Sequence, residues 1–439
     1  MSLHDRDPRL EQTILDAARE RLAADRPALG TTQPPEAFAP AITAAGLGAE
    51  RAAALLLDTV MPSAIQIDHP RYLAFIPGAQ APASALADVL LAVNSIYGGS
   101  WLEGSGVVQA ENEALSWLAN LAGLPEGAGG CFVQGGTNGN LSALHAARSA
   151  ARAGGARATR VACSADVHSS VRTMLRVMDA EALDVPGGRL TGAALREALD
   201  ADGDGVFAVV ATAGTTNLGL IDDLAGIAAV CRERGLWLHV DGAYGLAALC
   251  APSARAAFAG IEQADSFIVD PHKWLFSPFD SCALVYRDPA LGRAAHRQHA
   301  SYLEALYADD AAYNPSDYGV HLTRRARGLP FWFALAVHGT DAFTTAVESV
   351  LAVTRAGADE IRSRPELELL IEPELSVLVF RRHGWETADY DRWAADLRAD
   401  GTAFVMPTTV AGETVARLAI VNTKTTIDDL VIVFHRMGG

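Results

Sequence analysis

Residues 206–276 read VFAVVATAGTTNLGLIDDLAGIAAVCRERGLWLHVDGAYGLAALCAPSARAAFAGIEQADSFIVDPHKWLF. Three short apolar runs stand out in it: VFAVVAT (206–212), LWLHVD (236–241) and SFIVD (266–270). Each is rich in β-branched residues and unbroken by the polar alternation of a half-exposed strand, and helical stretches separate them. That pattern predicts a mostly parallel sheet buried on both faces, hence an α/β fold. CFVQ (131–134) and RVACS (160–164) extend the same pattern upstream. In such a sheet the ligand crevice lies at the carboxyl ends of the strands. Polar residues that close these runs are therefore the first place to look for chemistry.

Around this centre, residues 8–60 read as amphipathic helices, LEQTILDAARERLA, AFAPAITAAGL and ERAAALLLDTVMPSAI, with Pro34 and Pro35 marking a break. Residues 322–360 also read as helical. LSVLVFRRH, TAFVMPTTV and ARLAIVNT then suggest a small α+β unit ending in a helix. The expected organisation is an N-terminal helical arm over 1–75, a large domain over 76–330 and a small C-terminal α+β domain over 331–439. The 52 acidic residues outnumber 35 basic ones, for a formal charge of −17, which disfavours nucleic acid and anionic membranes as partners. Five cysteines without a C-x-x-C pair argue for a reducing compartment and against structural zinc. The opening MSLHDRDPRLEQ lacks an apolar h-region and no apolar run reaches membrane-spanning length, so a cytoplasmic location is the default expectation.

Basic residues number 35, yet only Lys273 and Lys424 are lysines. Arginine serves wherever a positive charge suffices, and arginine cannot form an imine with an aldehyde as lysine can. Lys273 follows the SFIVD run, where ligands gather; Lys424, in VNTKTTIDDL, sits in a polar turn where a solvated charge is the better account. Asp241 closes LWLHVD before small residues; it is either a turn or cap residue or a buried carboxylate awaiting a cationic partner such as a protonated pyridine nitrogen. Gly135, Gly136, Thr137, Asn138 and Gly139 link a strand to a helix, as a phosphate-binding turn would, but match neither the nucleotide P-loop nor G-x-G-x-x-G. His168 follows RVACS, where an imidazole can lie on an aromatic cofactor although a lone histidine is more often structural, and Thr212 closes VFAVVAT.

The order of these features resembles that of the group II pyridoxal-phosphate (PLP) dependent amino-acid decarboxylases, a fold-type-I family that includes aromatic-amino-acid, histidine and glutamate decarboxylases. PHKW (271–274) carries the resemblance most specifically, supported by HVDGAYG (239–245), ATAGTTNLGLIDDL (211–224), HPRYLAFIPG (69–78) and RLAIVNTKTT (417–426). The resemblance implies that Lys273 carries PLP as a Schiff base, that Asp241 pairs with the ring nitrogen and that His168 stacks on the ring. It places His272 beside the lysine, Gly136, Thr137 and Asn138 at the phosphate, and Thr212 near the ring. It implies a proton-donating loop tyrosine, matched by Tyr302, with Tyr307 and Tyr313 as fallbacks, and a homodimer with shared active sites. Two positions depart from the aromatic-acid branch. Asp270 replaces an asparagine, which bears on the phosphate contacts. Gly99 replaces a phenylalanine, which predicts an enlarged or reshaped pocket; Tyr97 and Trp101 remain nearby, and Phe75, Ile76 and Pro77 supply apolar surface. The implied reaction is decarboxylation of an aromatic or bulky apolar L-amino acid to the amine. The alternatives are oxidative deamination to an aldehyde, an aminotransferase using Arg324, Arg325 or Arg327 as carboxylate clamp, and an idle binding protein.

Overall fold

The computed structural model describes residues 5–38, 40–76, 78–298, 301 and 313–438. Its centre is a seven-stranded sheet of β1 (Gly129–Val133), β2 (Arg160–Ser164), β3 (Glu181–Val185), β4 (Val206–Thr212), β5 (Trp237–Asp241), β6 (Ser266–Val269) and β7 (Cys282–Tyr286). The order is β1-β7-β6-β5-β4-β2-β3, and β7 alone runs antiparallel to its neighbours. All five runs picked from sequence are strands. The two not picked are the edge strand β3, whose EALDV mixes exposed and buried positions, and β7, a short return segment just after the PHKW stretch.

Alternate residues of the central strands enter two separate cores, as the period of two requires. Val209, Ala211, Leu238, Val240, Phe267 and Val269 join one cluster, which continues into the C-terminal part of the chain. Ala208, Val210, Ile268, Cys282 and Leu284 join the other, under the helices Gly136–Ala153 and Ser169–Val177. Both faces are thereby covered, which is why these strands read as continuous apolar runs. Register aligns the strand ends: Thr212 lies opposite Asp241, and Asp241 opposite Ile268.

The C-terminal sheet is antiparallel, ordered β10-β11-β9-β8 from β8 (Leu367–Ile371), β9 (Val377–Arg382), β10 (Thr408–Val410) and β11 (Glu413–Ala419). The last helix, Ile427–His435, starts at a capping box made by Thr426 and Asp429. Of TAFVMPTTV only the last three residues are strand. The helical region expected from residue 322 begins later, at Leu329–His338, and after Gly339 at φ 75° continues as Thr340–Ser363.

At the N-terminus, Asp7 caps the helix Pro8–Ala23 through Oδ1, which accepts the Arg9 and Leu10 N–H groups. A helix from Ala49 continues through a wider π turn and then a tighter 3₁₀ turn to Ser63. Of AFAPAITAAGL, expected to be helical, only Ala37 is so among the described residues, closing the 3₁₀ turn Pro35–Ala37. Pro40 cannot supply the interior N–H, Gly46 and Gly48 take positive φ, and Ile42 is fully exposed, so no packing pays for a helix there. The segment after it is docked on the C-terminal sheet: the Leu73 N–H donates to the Phe404 carbonyl at 2.8 Å, and Leu73 accepts from the Ala419 N–H at 2.9 Å. Arg26 and Arg71 both reach Asp429, at 2.7 and 3.0 Å. Among the described residues no helix is long and apolar enough to cross a membrane.

Candidate active site

The carboxyl ends of β4, β5 and β6, the β1-to-helix turn and the β10–β11 hairpin enclose a cleft of about 1030 Å³. Gly136, Thr137, His168, Thr212, Asp241, Asp270, His272 and Lys273 all line it. Asn138 does not: its side-chain amide donates to the Val320 carbonyl at 3.4 Å, away from the cleft. Asp222 braces the edge from behind, its carboxylate accepting the Thr212 N–H at 2.7 Å and the Leu190 N–H at 2.8 Å.

Lys273 Nζ lies 2.9 Å from Asp270 Oδ2. Burial alone would push this amine down; the Asp270 carboxylate, with Asp241 as a weaker contributor, outweighs it and holds the ammonium above its ordinary value. Asp270 itself is buried, and its Oδ1 has no hydrogen-bond partner. His272 packs against Phe279, ring centres 4.9 Å apart, with its Nδ1 2.6 Å from the Ser281 carbonyl. Burial lowers its pKa. The backbone bearing these residues has no slack. A Cβ on Gly78 would stand 2.1 Å from the His272 carbonyl oxygen and 2.7 Å from that of Lys273.

Asp241 is buried at the end of β5. Its Oδ2 accepts from Asn140 Nδ2 at 2.8 Å, and its Oδ1 from the Ala243 N–H at 3.2 Å. The helix Gly136–Ala153 opens in the cleft with extended Gly135 at its cap and no side-chain cap, leaving first-turn N–H groups open to an anion. Gly136 is pressed close: its Cβ would meet Ile268 Cδ1 at 3.2 Å and Ala243 Cβ at 3.4 Å. His168 caps the helix Ser169–Val177, its Nδ1 accepting the Ser170 N–H at 3.2 Å. These residues fit PLP in their chemistry: an amine, an acid and an uncapped helix N-terminus share one cleft.

Tyr302, Tyr307 and Pro77 lie outside the described residues. Tyr313 does not line the cleft. It stacks on Tyr318 at 4.5 Å and donates its hydroxyl to the Gly130 carbonyl at 2.5 Å, and burial drives its pKa well above the ordinary phenol value. The three arginines are engaged elsewhere: Arg324 with Glu111 at 2.8 Å, Arg325 with Asp88, and Arg327 with Asp280 at 3.0 Å; none lines the cleft. Gly99 leaves no void. A Cβ there would fall 2.1 Å from Tyr97 Oη, so the Tyr97 ring already occupies the space that a larger side chain would take. Phe75, Ile76, Tyr97 and Trp101 stand off the cleft of their own chain, whereas Phe279, not noticed in the sequence, lines it.

Asn140 and His239 also escaped notice. Asn140 sits one helical turn beyond Gly136, and His239 two residues before Asp241, on the same face of β5 by the strand period. A polar residue recurring with that period in an otherwise apolar strand was the available signal.

Residues 54–383, more than half of the chain, match the family model described as the pyridoxal-dependent decarboxylase conserved domain. The chain is 32% identical to an L-2,4-diaminobutyrate decarboxylase of Rhizobium meliloti (strain 1021), across 89% of this chain and 81% of the relative. It is 30% identical to an aromatic-L-amino-acid decarboxylase of Bacillus atrophaeus, across 84% and 81%. The fold is similar to that in a crystal structure of Oryza sativa TDC with PLP and tryptamine, at a TM-score of 0.90 and 23% identity over 100% of this chain and 98% of that one.

Proposed function

This chain belongs to the pyridoxal-dependent decarboxylase family and is a PLP-dependent carboxy-lyase; from that premise we propose that it decarboxylates an aromatic or bulky apolar L-amino acid to its amine, with Lys273 as the cofactor's attachment point. The observation that carries this proposal is the placement of the Lys273 amine and the Asp241 carboxylate in one cleft at adjoining strand ends. When bound, PLP supplies a sink for the electrons of the broken Cα–carboxylate bond.

In this proposal Asp241 holds a proton on the ring nitrogen. The helix N-terminus at Gly136 and the Thr137 hydroxyl take the phosphate, and the exposed His168 ring covers one ring face. Thr212 and His272 border the ring, and Asp270 keeps Lys273 oriented toward the cleft. Tyr302 returns a proton to the substrate carbon. Retention of both Tyr302 and His168 favours the amine over the aldehyde as product. Phe279, 56% exposed and lining the cleft, supports an apolar or aromatic side chain in the substrate.

The chain acts as a homodimer in this account. Leu86, Val89, Leu90 and Val93 form an i, i+3, i+4, i+7 stripe on the helix Pro82–Asn94, and all four are exposed, as a face awaiting a partner would be. Light scattering on the eluted protein checks this, and a stable monomer contradicts it.

The substrate is tested by incubating the PLP-loaded enzyme with L-tyrosine, L-tryptophan, L-DOPA, L-glutamate and L-2,4-diaminobutyrate, reading CO2 and the organic product by mass spectrometry. Higher kcat/KM for the first three, with amine as product, is expected. A preference for glutamate or diaminobutyrate overturns the substrate class; aldehyde with ammonia and peroxide overturns simple decarboxylation. Tyr302→Phe is expected to leave CO2 release measurable while shifting product toward aldehyde.

A further inference from the structure

Behind Asp241 the interior holds an unbroken line of hydrogen-bonded polar side chains. Trp237 Nε1 lies 2.8 Å from Ser266 Oγ, Ser266 Oγ 2.8 Å from His239 Nδ1, His239 Nε2 2.8 Å from Asn140 Oδ1, and Asn140 Nδ2 2.8 Å from Asp241 Oδ2. Ser266 and His239 are 0% exposed and Asn140 1%. Four polar side chains, including an imidazole and an amide, are costly to bury unless each is fully partnered. Aliphatic residues would fill the same volume without that cost.

The chemistry of the two ends fixes the direction of every bond between them. An indole N–H can only donate, and a carboxylate can only accept. Asp241 therefore takes the Asn140 amide N–H, which turns Asn140 Oδ1 toward His239. That oxygen can only accept, so His239 carries its proton on Nε2. Complete burial lowers the His239 pKa to about 4, so the ring is neutral and Nδ1 is bare. Ser266 then donates its hydroxyl to Nδ1 and accepts from Trp237. Each bond in the line thus pairs a donor with an acceptor, and the line ends in an N–H aimed at Asp241 Oδ2, which fixes the orientation of that carboxylate.

We propose that Asn140 and His239, with Ser266 and Trp237 behind them, are positioning residues that orient the Asp241 carboxylate toward the cofactor ring nitrogen. This rests on the proposed contact between Asp241 and that nitrogen. The line works by fixed hydrogen-bond polarity and not by titration of the imidazole. A glutamine at 239 can offer an amide N–H to Asn140 and a carbonyl to Ser266, and so reproduces the polarity without a titratable group.

The test measures cofactor affinity of the full-length apoprotein with two probes, PLP and 1-deazapyridoxal phosphate, in which a C–H replaces the ring nitrogen. Wild type, Asn140→Leu, His239→Leu and His239→Gln are compared, with folding of each checked by circular dichroism and thermal melting. Wild type is expected to prefer PLP over the analogue. Asn140→Leu and His239→Leu are expected to weaken PLP by about 10-fold or more, the scale of a lost hydrogen bond to a charged group. They should leave the analogue nearly unchanged, and His239→Gln should restore most of the preference. Equal weakening of both probes shows a merely structural role and overturns the proposal, as does an undiminished preference in the leucine variants. Failure of His239→Gln to restore the preference overturns the fixed-polarity account. Equal affinity of wild type for both probes instead refutes the Asp241–ring nitrogen contact itself.

Discussion

Replacing Asp270 by asparagine removes the carboxylate 2.9 Å from Lys273 Nζ while keeping side-chain volume and a hydrogen-bonding group. At that distance a unit charge pair at an effective dielectric of about 20 is worth on the order of 5 kcal/mol. About a quarter of the lysine side chain reaches solvent, at 26% exposure, and Asp241 still contributes, so the gross figure must be discounted. A net loss of ~2 kcal/mol is the expected scale, which raises the ratio of free amine to ammonium about 30-fold at fixed pH. Burial, which opposes the charged form, then acts with less opposition and Lys273 deprotonates at lower pH. Only the free amine attacks the cofactor aldehyde. The assay is stopped-flow absorbance of apoprotein mixed with PLP across a pH series. The Asp270→Asn profile should move to lower pH, with uptake at neutral pH at least 10-fold faster. Pyridoxal without its phosphate should show the same displacement, which separates the effect on the amine from weaker repulsion of the phosphate. Superimposable pH profiles for wild type and variant refute the reasoning.

Glu111→Ala should cost about 3–5 kcal/mol in urea denaturation, because it strands the 0%-exposed Arg324 side chain without its carboxylate; a loss below about 1 kcal/mol contradicts this. Gly78→Ala should leave a folded protein with reduced PLP stoichiometry, since its Cβ collides with backbone carbonyls that carry the His272–Lys273 turn; full cofactor occupancy argues against it. The neutral His239, lowered to about 4 by burial, gives the folded state fewer bound protons than the unfolded one below about pH 6.5. Its contribution is present above that pH and is lost as pH falls toward 4, roughly 2 kcal/mol by pH 5. Wild type should therefore lose that much more than His239→Gln in apoprotein denaturation between pH 7 and pH 5, and a constant difference contradicts it.

The parallel sheet was legible because strands buried on both faces are apolar throughout, and β2 and β4 were read to their terminal residues. Lys273 stood out because the chain spends only two lysines, and Thr212 and Asp241 because each closes such a strand. β3 was obscured by its mixed exposure at the sheet edge, and the AFAPAITAAGL error came from weighing composition above Pro40 and the two later glycines. At Gly99 the sequence left open whether the missing ring enlarges the pocket or reshapes it. Whether a missing side chain leaves a void depends on where Tyr97 turns, and that is a tertiary fact. The same holds for Asn138, which neighbours the cleft in sequence but faces Val320. The line behind Asp241 joins residues from β5, β6 and the helix after β1, so its partners are separated by 101, 99 and 27 positions and become visible only when the sheet is assembled.

With two lysines in the chain, attachment of the cofactor can be read as a choice between them. Lys424 is already engaged, its Nζ 2.7 Å from the Asp25 carbonyl oxygen outside the cleft. The PLP-loaded protein is reduced with borohydride, digested and mapped by mass spectrometry. The pyridoxyl mass is expected on the peptide containing Lys273 and nowhere else. Label on the Lys424 peptide, or bound PLP that leaves no label, would contradict the assignment.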